Sequence, residues 1–435
     1  MIKLKFMIFG NKKKIFLFLS FALFLLAVPL FFQQLLSKKE ADANTLFNNP
    51  QKTFLTNYGA YIYVFNSGNK TITKIRTSDS KEMLKIKFDP EPTTVFYTSQ
   101  FQKIYAPSFI DGNVSILKLP GDASGTKTIS LGKMMHLKFR SFLFDAENKK
   151  LFVLAENYEE SPNGAVLVID LEKDSISNVI KLDSSIRADF SSLSNGKLFV
   201  YDPLKNEFFV IDCGKEEVNK KIQLESDVKV EDSVISKQGK VIYFLAGGNL
   251  VALDAESGNI ISKLKVKSGV KKIRADENSE LVYVVSSSED ETNGFLTMAV
   301  PNENRIISEV EVGNNPINLF IGKNYVYVLN NGSNSISVFD KKTNRVVGTI
   351  SSGGLNPIYM NIDESKDIMY ISNFANNTIG IVDLNTQKLV GIIPEKENIF
   401  KQYWLFIALF LSAIISLVLF FFLSSRTSGD SAYQG

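Results

Sequence analysis

Residues Pro316 to Ile350 read PINLFIGKNYVYVLNNGSNSISVFDKKTNRVVGTI. Four short runs are separated by polar turns. A proline-led run, Asn315 to Phe320, comes first, followed by Tyr325 to Val328, Ile336 to Asp340 and Arg345 to Ile350. Alternation with period two between turn residues predicts four antiparallel strands. Outward from this stretch, an aromatic residue between aliphatic neighbours recurs at Tyr63, Tyr105, Phe152, Phe199, Tyr243, Tyr283, Tyr327 and Tyr370. A spacing near 44 residues is that of a β-propeller in which each repeat is one four-stranded blade. Eight aromatics predict eight blades. Seven is the alternative, because Pro107 directly follows Tyr105-Ala106 and a proline there favours an edge or distorted strand.

The array runs from about Pro50 to Pro394, with Pro50 to Leu55 as a weak first leading strand. Neighbouring blades bury their faces against each other, so the eight aromatics are predicted to be core. Five repeats end their third strand in aspartate: Asp170, Asp212, Asp254, Asp340 and Asp383. One carboxylate per blade cannot converge on a single ion. Aspartate before a turn accepts backbone N–H groups two or three residues on, and capping is the expected role.

Two apolar runs flank the array. Ile15 to Phe32, IFLFLSFALFLLAVPLFF, follows five lysines in a basic segment, residues 1–14. It is just long enough to span a bilayer core about 30 Å thick. The positive-inside rule keeps the lysines in the cytoplasm and exports the rest. The competing reading is a cleaved signal peptide, with Ala41-Asp42-Ala43 as the small-residue site. Tyr403 to Leu423, YWLFIALFLSAIISLVLFFFL, predicts a second span that returns residues 424–435 to the cytoplasm. Residues 33–49 and 395–402 are then short linkers holding the propeller near the lipid. Ala408, Ser412 and Ser416 lie four apart, a spacing that permits close approach of membrane helices and self-association. With no strand evident to interlock first and last blades, the two helices are expected to help hold the ring shut.

Composition excludes several classes of function. Net charge is +3, close to neutral once the basic N-terminus is set aside, so nucleic acid is not an expected partner. The one cysteine, Cys213, forbids an internal disulfide, and no Cys-x-x-Cys-His motif offers covalent haem attachment. The one histidine, His136, is too few for a histidine-based zinc or copper centre in a single copy. No nucleophile elbow or phosphate-cradling glycine loop is present. Two acidic clusters, Asp227 with Glu231 and Asp232, and Glu289 to Glu291, lack the spacing of a calcium loop and are expected to be solvated. No catalytic residue, cofactor or metal site is assigned from the sequence.

Tyr327 to Asp340, YVLNNGSNSISVFD, and Tyr370 to Asp383, YISNFANNTIGIVD, resemble the YVTN β-propeller repeat of surface-layer and other exported proteins. The likeness fades toward the N-terminus, where Arg76 and Lys118 replace the expected aspartate. Leu250 to Gly258 is similar to the repeat of quinoprotein-type scaffold propellers. The resemblance implies fold rather than activity. The expectation is a membrane-anchored, extracytoplasmic propeller acting as a binding, adhesion or scaffolding module. Its partners would be membrane lipid and a protein or glycan of the cell envelope, recognised through loops such as Asn330 to Ser335 and Asn373 to Thr378. Two alternatives stay open. One is a lactonase- or lyase-like enzyme using channel carboxylates and His136; the other is a subunit of an exported envelope or redox complex.

Overall fold

The structure, a computed structural model, describes residues 46–394 apart from 57–58, 109–111, 120–125, 131–136, 158–162, 184–186, 227 and 268, together with Ile415 and Val418. Leu46 to Pro394 form one compact unit. It contains eight four-stranded sheets, each built from four strands consecutive in the chain. Blade 1 spans Pro50–Lys87, blade 2 Phe96–Ser130, blade 3 Leu137–Leu182 and blade 4 Arg187–Gln223. Blades 5 to 8 span Val230–Lys265, Val270–Val312, Pro316–Ser351 and Pro357–Ile393. The fold is therefore an all-β, eight-bladed propeller, and the seven-bladed alternative is excluded. The expected membrane segments and the remainder of the termini lie outside the described residues. Among the described residues no helix is long and apolar enough to cross a membrane.

Each of the eight aromatics lies on the second strand of its blade, and all are at most 5% exposed. Second and third strands read as nearly continuous apolar runs because a neighbouring blade covers each of their faces. Blade 7 shows the contrast: its second strand, Tyr325–Asn330, is buried after the first residue, whereas its outer strand, Arg345–Ser351, alternates with solvent. The cores lie between blades. Tyr327, Leu329 and Val338 of blade 7 pack on Met360, Met369 and Ile371 of blade 8. Each such side chain contributes roughly 1.5–3 kcal/mol.

Many of the hairpin turns share one geometry. The residue just before the following strand adopts a left-handed conformation, as Asn334, Asn344 and Asn377 do with φ of 52°, 58° and 56°. Asparagine tolerates this region better than other non-glycine residues. The five predicted aspartates cap the turn between third and outer strands. Asp340 Oδ1 accepts the Lys342 and Thr343 amides at 2.7 and 3.1 Å, and Asp212 Oδ1 accepts those of Gly214 and Lys215 at 3.0 and 2.9 Å. Hydrogen bonds led by the Lys173 amide hold the Asp170 carboxyl below its usual range; the Ser257 amide leads the same effect at Asp254.

Blade 2 is the irregular member. Its inner strand, Phe96–Thr98, has three residues, and its outer strand, Lys127–Ser130, has four. Pro107 nonetheless sits on the second strand, opposite Val114, and not at a sheet edge. The reason is directional. The Pro107 carbonyl accepts the Thr93 amide at 2.9 Å, so its nitrogen faces the same side of the strand. The three-residue inner strand pairs only with Lys103 to Tyr105, so no ladder partner for the missing N–H is lost.

Among the described residues no strand interlocks the ring. Blade 8 meets blade 1 through side chains: Phe47, Ile62, Val64 and Ile75 pack on Tyr370, Ile379 and Ile393. Leu46 to Asn49, placed in the linker by the sequence reading, belong to this joint. The Asn49 amide donates to Asn377 Oδ1 at 2.7 Å, and the Asn361 side-chain amide donates to the Thr53 carbonyl at 3.0 Å. The covalently continuous joint between blades 7 and 8 uses the same device, the Asn356 amide donating to Asn334 Oδ1 at 2.7 Å. The loops expected to carry specificity are largely engaged in such contacts. Asn330 and Asn373 are fully buried. Asn330 Nδ2 donates to Ser335 and Ser337 at 3.3 and 2.9 Å, and Asn373 Nδ2 donates to Thr378 Oγ1 at 3.2 Å and the Ser352 carbonyl at 2.9 Å.

Candidate functional site: the wall of the central channel

The innermost strands of blades 3 and 4, 4 and 5, 5 and 6, 6 and 7, and 8 and 1 contact one another around the axis. They are Pro50–Leu55, Phe96–Thr98, Leu137–Asp145, Arg187–Ser194, Val230–Ile235, Val270–Ala275, Pro316–Ile321 and Pro357–Asp363. In blades 1, 5, 6, 7 and 8 the register against the second strand slips by one residue near the start: between Pro50 and Lys52, Val230 and Asp232, Val270 and Lys272, Pro316 and Asn318, and Pro357 and Tyr359. The slip is a β-bulge, which bends a strand and re-aims the side chain beside it. Lys52, Asp232, Lys272, Asn318 and Tyr359 are the five residues that follow it, so they occupy equivalent positions on the innermost strands, which border the central channel. The next residue in each strand is buried: Thr53, Ser233, Ile273, Leu319 and Met360.

These residues bind across the joints. Lys52 Nζ of blade 1 donates to Thr94 Oγ1 and the Val95 carbonyl of blade 2, both at 3.2 Å. Lys272 Nζ of blade 6 meets Asp232 Oδ1 of blade 5 at 3.0 Å, and the Ile273 amide donates to Asp232 Oδ2 at 2.9 Å. Arg274, two residues further along blade 6, donates through Nη2 to Asn318 Oδ1 of blade 7 at 3.2 Å and through Nη1 to the Ile273 carbonyl at 3.0 Å. Burial lowers the pKa of Lys52. It also lowers that of Arg274, against an opposing effect of the Asp232 charge. Burial raises the Tyr359 phenol.

The sequence reading placed Lys52 and Asn318 on leading strands and gave none of Lys52, Lys272, Arg274, Asn318 or Tyr359 a role at a site. A signal existed: in four blades the wall residue lies eleven positions before the core aromatic, at 52 and 63, 232 and 243, 272 and 283, and 359 and 370. Asp232, expected in a solvated loop, is instead buried on an inner strand with two hydrogen-bond partners, because the bulge places it at the wall. Of its predicted cluster, Glu231 is exposed and Asp227 lies outside the described residues. In the second cluster, Asp290 Oδ1 accepts the Thr292 amide at 3.2 Å and Glu291 pairs with Lys271 at 2.5 Å. His136 lies outside the described residues. Among the described residues no group of three or more His, Cys, Asp or Glu is arranged to hold a metal ion. Cys213 is buried, and its thiol is pushed up by that burial.

Two grooves open on one rim, between blades 5 and 6 and between blades 7 and 8, with volumes of about 440 and 340 Å³. Tyr243 and Tyr327 line them at equivalent positions. The joint between blades 6 and 7 is bridged instead, Lys341 Nζ donating to Asp276 Oδ2 at 2.7 Å. The exposed apolar residues Met83, Ile261, Ile306, Val347 and Val390 sit on the outer strands of five different blades. Such scattered residues need no binding partner to explain them.

No family model and no curated protein matches the chain. Solved structures do. The dihydro-heme d1 dehydrogenase NirN in complex with DHE is similar over 81% of this chain and 79% of its own, with a TM-score of 0.57 and 12% identity. Kuenenia stuttgartiensis hydrazine synthase matches over 78% of this chain and 96% of its own, with a TM-score of 0.49 and 13% identity. Citrobacter koseri AztD matches over 69% and 86%, with a TM-score of 0.49 and 14% identity. At these identities the likeness is one of propeller fold.

Proposed function

We propose that this chain is a membrane-tethered, extracytoplasmic propeller that binds a ligand in its central channel. The observation that carries the reading is the wall itself. A bulge repeated in five blades sets charged and polar residues at equivalent positions on the innermost strands, while the cores between blades are packed with apolar groups. Bulges of this kind recur beside functional sites, and ligand pockets pair a rigid scaffold with a few convergent polar groups. The apolar runs Ile15 to Phe32 and Tyr403 to Leu423, with the lysines before the first, support the tether and its orientation. A protein or glycan of the envelope would then meet the rim, and the second helix offers a surface for self-association.

Location and site are tested separately. Leu204 is 65% exposed on a turn of blade 4. A Leu204→Cys variant should react with a membrane-impermeant maleimide on intact cells; labelling only after lysis would overturn the orientation. For the site, the full-length protein in nanodiscs is melted with a panel of small anions, sugars and divalent cations. Stabilisation by any of them should vanish in Asn318→Trp, which fills the channel wall. Stabilisation that survives this change would place the ligand elsewhere.

A further inference from the structure

Six of the eight blades meet the next through a core tyrosine. Four of these joints also hold a lysine ammonium of the chain's own. After blade 1, Lys74 Nζ lies 4.3 Å from the centre of the Tyr61 ring and 5.7 Å from that of Tyr63. After blade 2, Lys103 Nζ and the Tyr105 hydroxyl both donate to Asp174 Oδ1, at 2.7 and 3.1 Å. After blade 6, Lys341 Nζ donates to Asp276 Oδ2 at 2.7 Å. After blade 8, Lys366 Nζ donates to the Gly59 carbonyl of blade 1 at 2.7 Å. The joints after blades 5 and 7 are the two grooves.

In the groove after blade 5 the Tyr243 hydroxyl donates to Asn302 Oδ1 at 3.4 Å, and Lys237 and Lys240 belong to the lining. The groove after blade 7 is different. Tyr327 lines it while only 5% exposed, and its hydroxyl has no hydrogen-bond partner among the described residues. Phe320 and Tyr325, both half-buried, line it too. The two tyrosine rings have centroids 6.3 Å apart, tilted by 54°. Tyr325 and Tyr327 are the counterparts of Tyr61 and Tyr63 in blade 1. There Lys74 is the strand partner of Tyr63; here Val338 is the partner of Tyr327. The pair of rings is kept and the ammonium is not. The lining also holds two carboxylates, Glu364 and Asp367, and one lysine, Lys323. Among the described residues none of the three is in an ion pair. Asp367 Oδ2 accepts the Asn385 side-chain amide at 3.3 Å. Burial, then Tyr325 and the Asp367 charge, push the Tyr327 phenol up to about 12, so it stays a neutral hydroxyl in the field of that carboxylate.

We propose that the groove between blades 7 and 8 binds a primary alkylammonium group, of the kind a lysine side chain carries, from a partner molecule. The site is separate from the channel and does not rest on it. The chain supplies this group itself at four equivalent joints; at this one it comes from outside. Aromatic faces attract a cation through the ring quadrupole. Glu364 and Asp367 supply the opposite charge, and the Tyr327 oxygen accepts an N–H. At about 340 Å³ the groove is of ligand size.

The test uses the full-length chain in micelles of octaethylene glycol dodecyl ether, a detergent with neither ammonium nor charge. Calorimetry and ligand-observed NMR are the readouts. The probes are Nα-acetyl-lysinamide, its uncharged counterpart Nα-acetyl-norleucinamide, choline chloride and N-acetylglucosamine. The lysine derivative should bind, less tightly as salt is raised, and the norleucine derivative should not. Tyr325→Leu, Tyr327→Phe and the double change Glu364→Gln with Asp367→Asn should each weaken that binding about two- to fivefold. This is the range of a partly exposed cation–π, hydrogen-bond or ion-pair contact. Tyr327→Phe keeps the buried ring, so its loss is that of the hydroxyl alone. Asn318→Trp, in the channel, should leave the binding unchanged whether or not the channel has a ligand of its own. The proposal is overturned if the lysine derivative fails to bind, if the norleucine derivative binds as well, or if all three groove variants bind like the parent. Tighter binding of choline, which has no N–H to donate, would also overturn it, as would binding of N-acetylglucosamine in its place. Loss in Asn318→Trp with none in the groove variants would move the cation to the channel, and the groove would fall.

Discussion

Blades 7, 8 and 1 form a contiguous arc built to one pattern, and blade 2, next in the chain, departs from almost all of it. The three regular blades open with an asparagine and a proline, Asn315-Pro316, Asn356-Pro357 and Asn49-Pro50, and place a buried asparagine at the end of the second strand. Each has a bulge in the inner pairing and another in the outer pairing. Blade 2 has neither bulge, short inner and outer strands and a proline on its second strand. Its core is nevertheless complete: Ile104, Tyr105, Ala106, Val114 and Leu117 are all fully buried. The difference separates two jobs. Apolar alternation around the core aromatic is sufficient to make a blade. The asparagines, prolines and bulges fix the joints and shape the channel.

The largest effect should ignore the distinction. Burial raises the phenol pKa of the core tyrosines in both regions: Tyr63, Tyr105, Tyr243, Tyr283, Tyr327 and Tyr370, the last two to about 12. Below the ordinary value of 10.0 both folded and unfolded chains keep these protons, and their neutral burial contributes its full stability. Between 10.0 and about 12 the unfolded chain loses protons that the folded chain retains, so stability falls as pH rises. Circular dichroism and phenolate absorbance should report one cooperative alkaline transition across that window. Two transitions would show that blade 2 unfolds apart from the arc.

Tyr105→Ala and Tyr327→Ala come next. Each removes a core aromatic and should destabilise by about 3–5 kcal/mol in urea. A much smaller loss at Tyr105 would mean that blade 2 is loosely packed. Asn330→Ala should cost about 1–3 kcal/mol, because it strips a shared donor from the buried Ser335 and Ser337 hydroxyls.

A finer comparison lies within the arc. Asn334→Ala and Asn377→Ala remove the same hydrogen bond, worth about 1 kcal/mol, from the continuous joint and the closing joint. Hydrogen exchange should accelerate more at the Asn49 amide in the second variant than at Asn356 in the first, since no chain connection holds blade 8 to blade 1. Equal acceleration would assign part of the closure to the terminal segments, as the sequence reading expects of the membrane helices. The smallest effect belongs to Pro107→Ala, which restores an N–H with no ladder partner to meet. It should change stability by no more than about 0.5 kcal/mol.

Local features were readable from the residues alone. The core aromatics, the capping aspartates and the strands Pro50 to Leu55 and Arg345 to Ile350 follow from contacts within one hairpin, whose partners lie a few residues apart. The reading went astray where a residue's role is set from another blade. Pro107 looked like a break in the pattern because the length of the strand beside it was not visible. Asn330 and Asn373 looked like exposed loop residues because their hydroxyl partners and burial depend on how the third strand folds back. Asp232 looked solvated because nothing local announces a bulge.

By itself the sequence determined that the chain is a propeller of seven or eight blades and what fills them, since period-two burial and left-handed turn residues act over a few positions of chain. Only the tertiary structure decided how the ring closes and which side chains share the channel. Closure joins Asn361 to Thr53 across 308 residues. The wall joins Lys52 to Thr94, Asp232 to Lys272 and Arg274 to Asn318, each between different blades. Charges meet there because eight sheets pack radially, and that geometry exists only once every blade is in place.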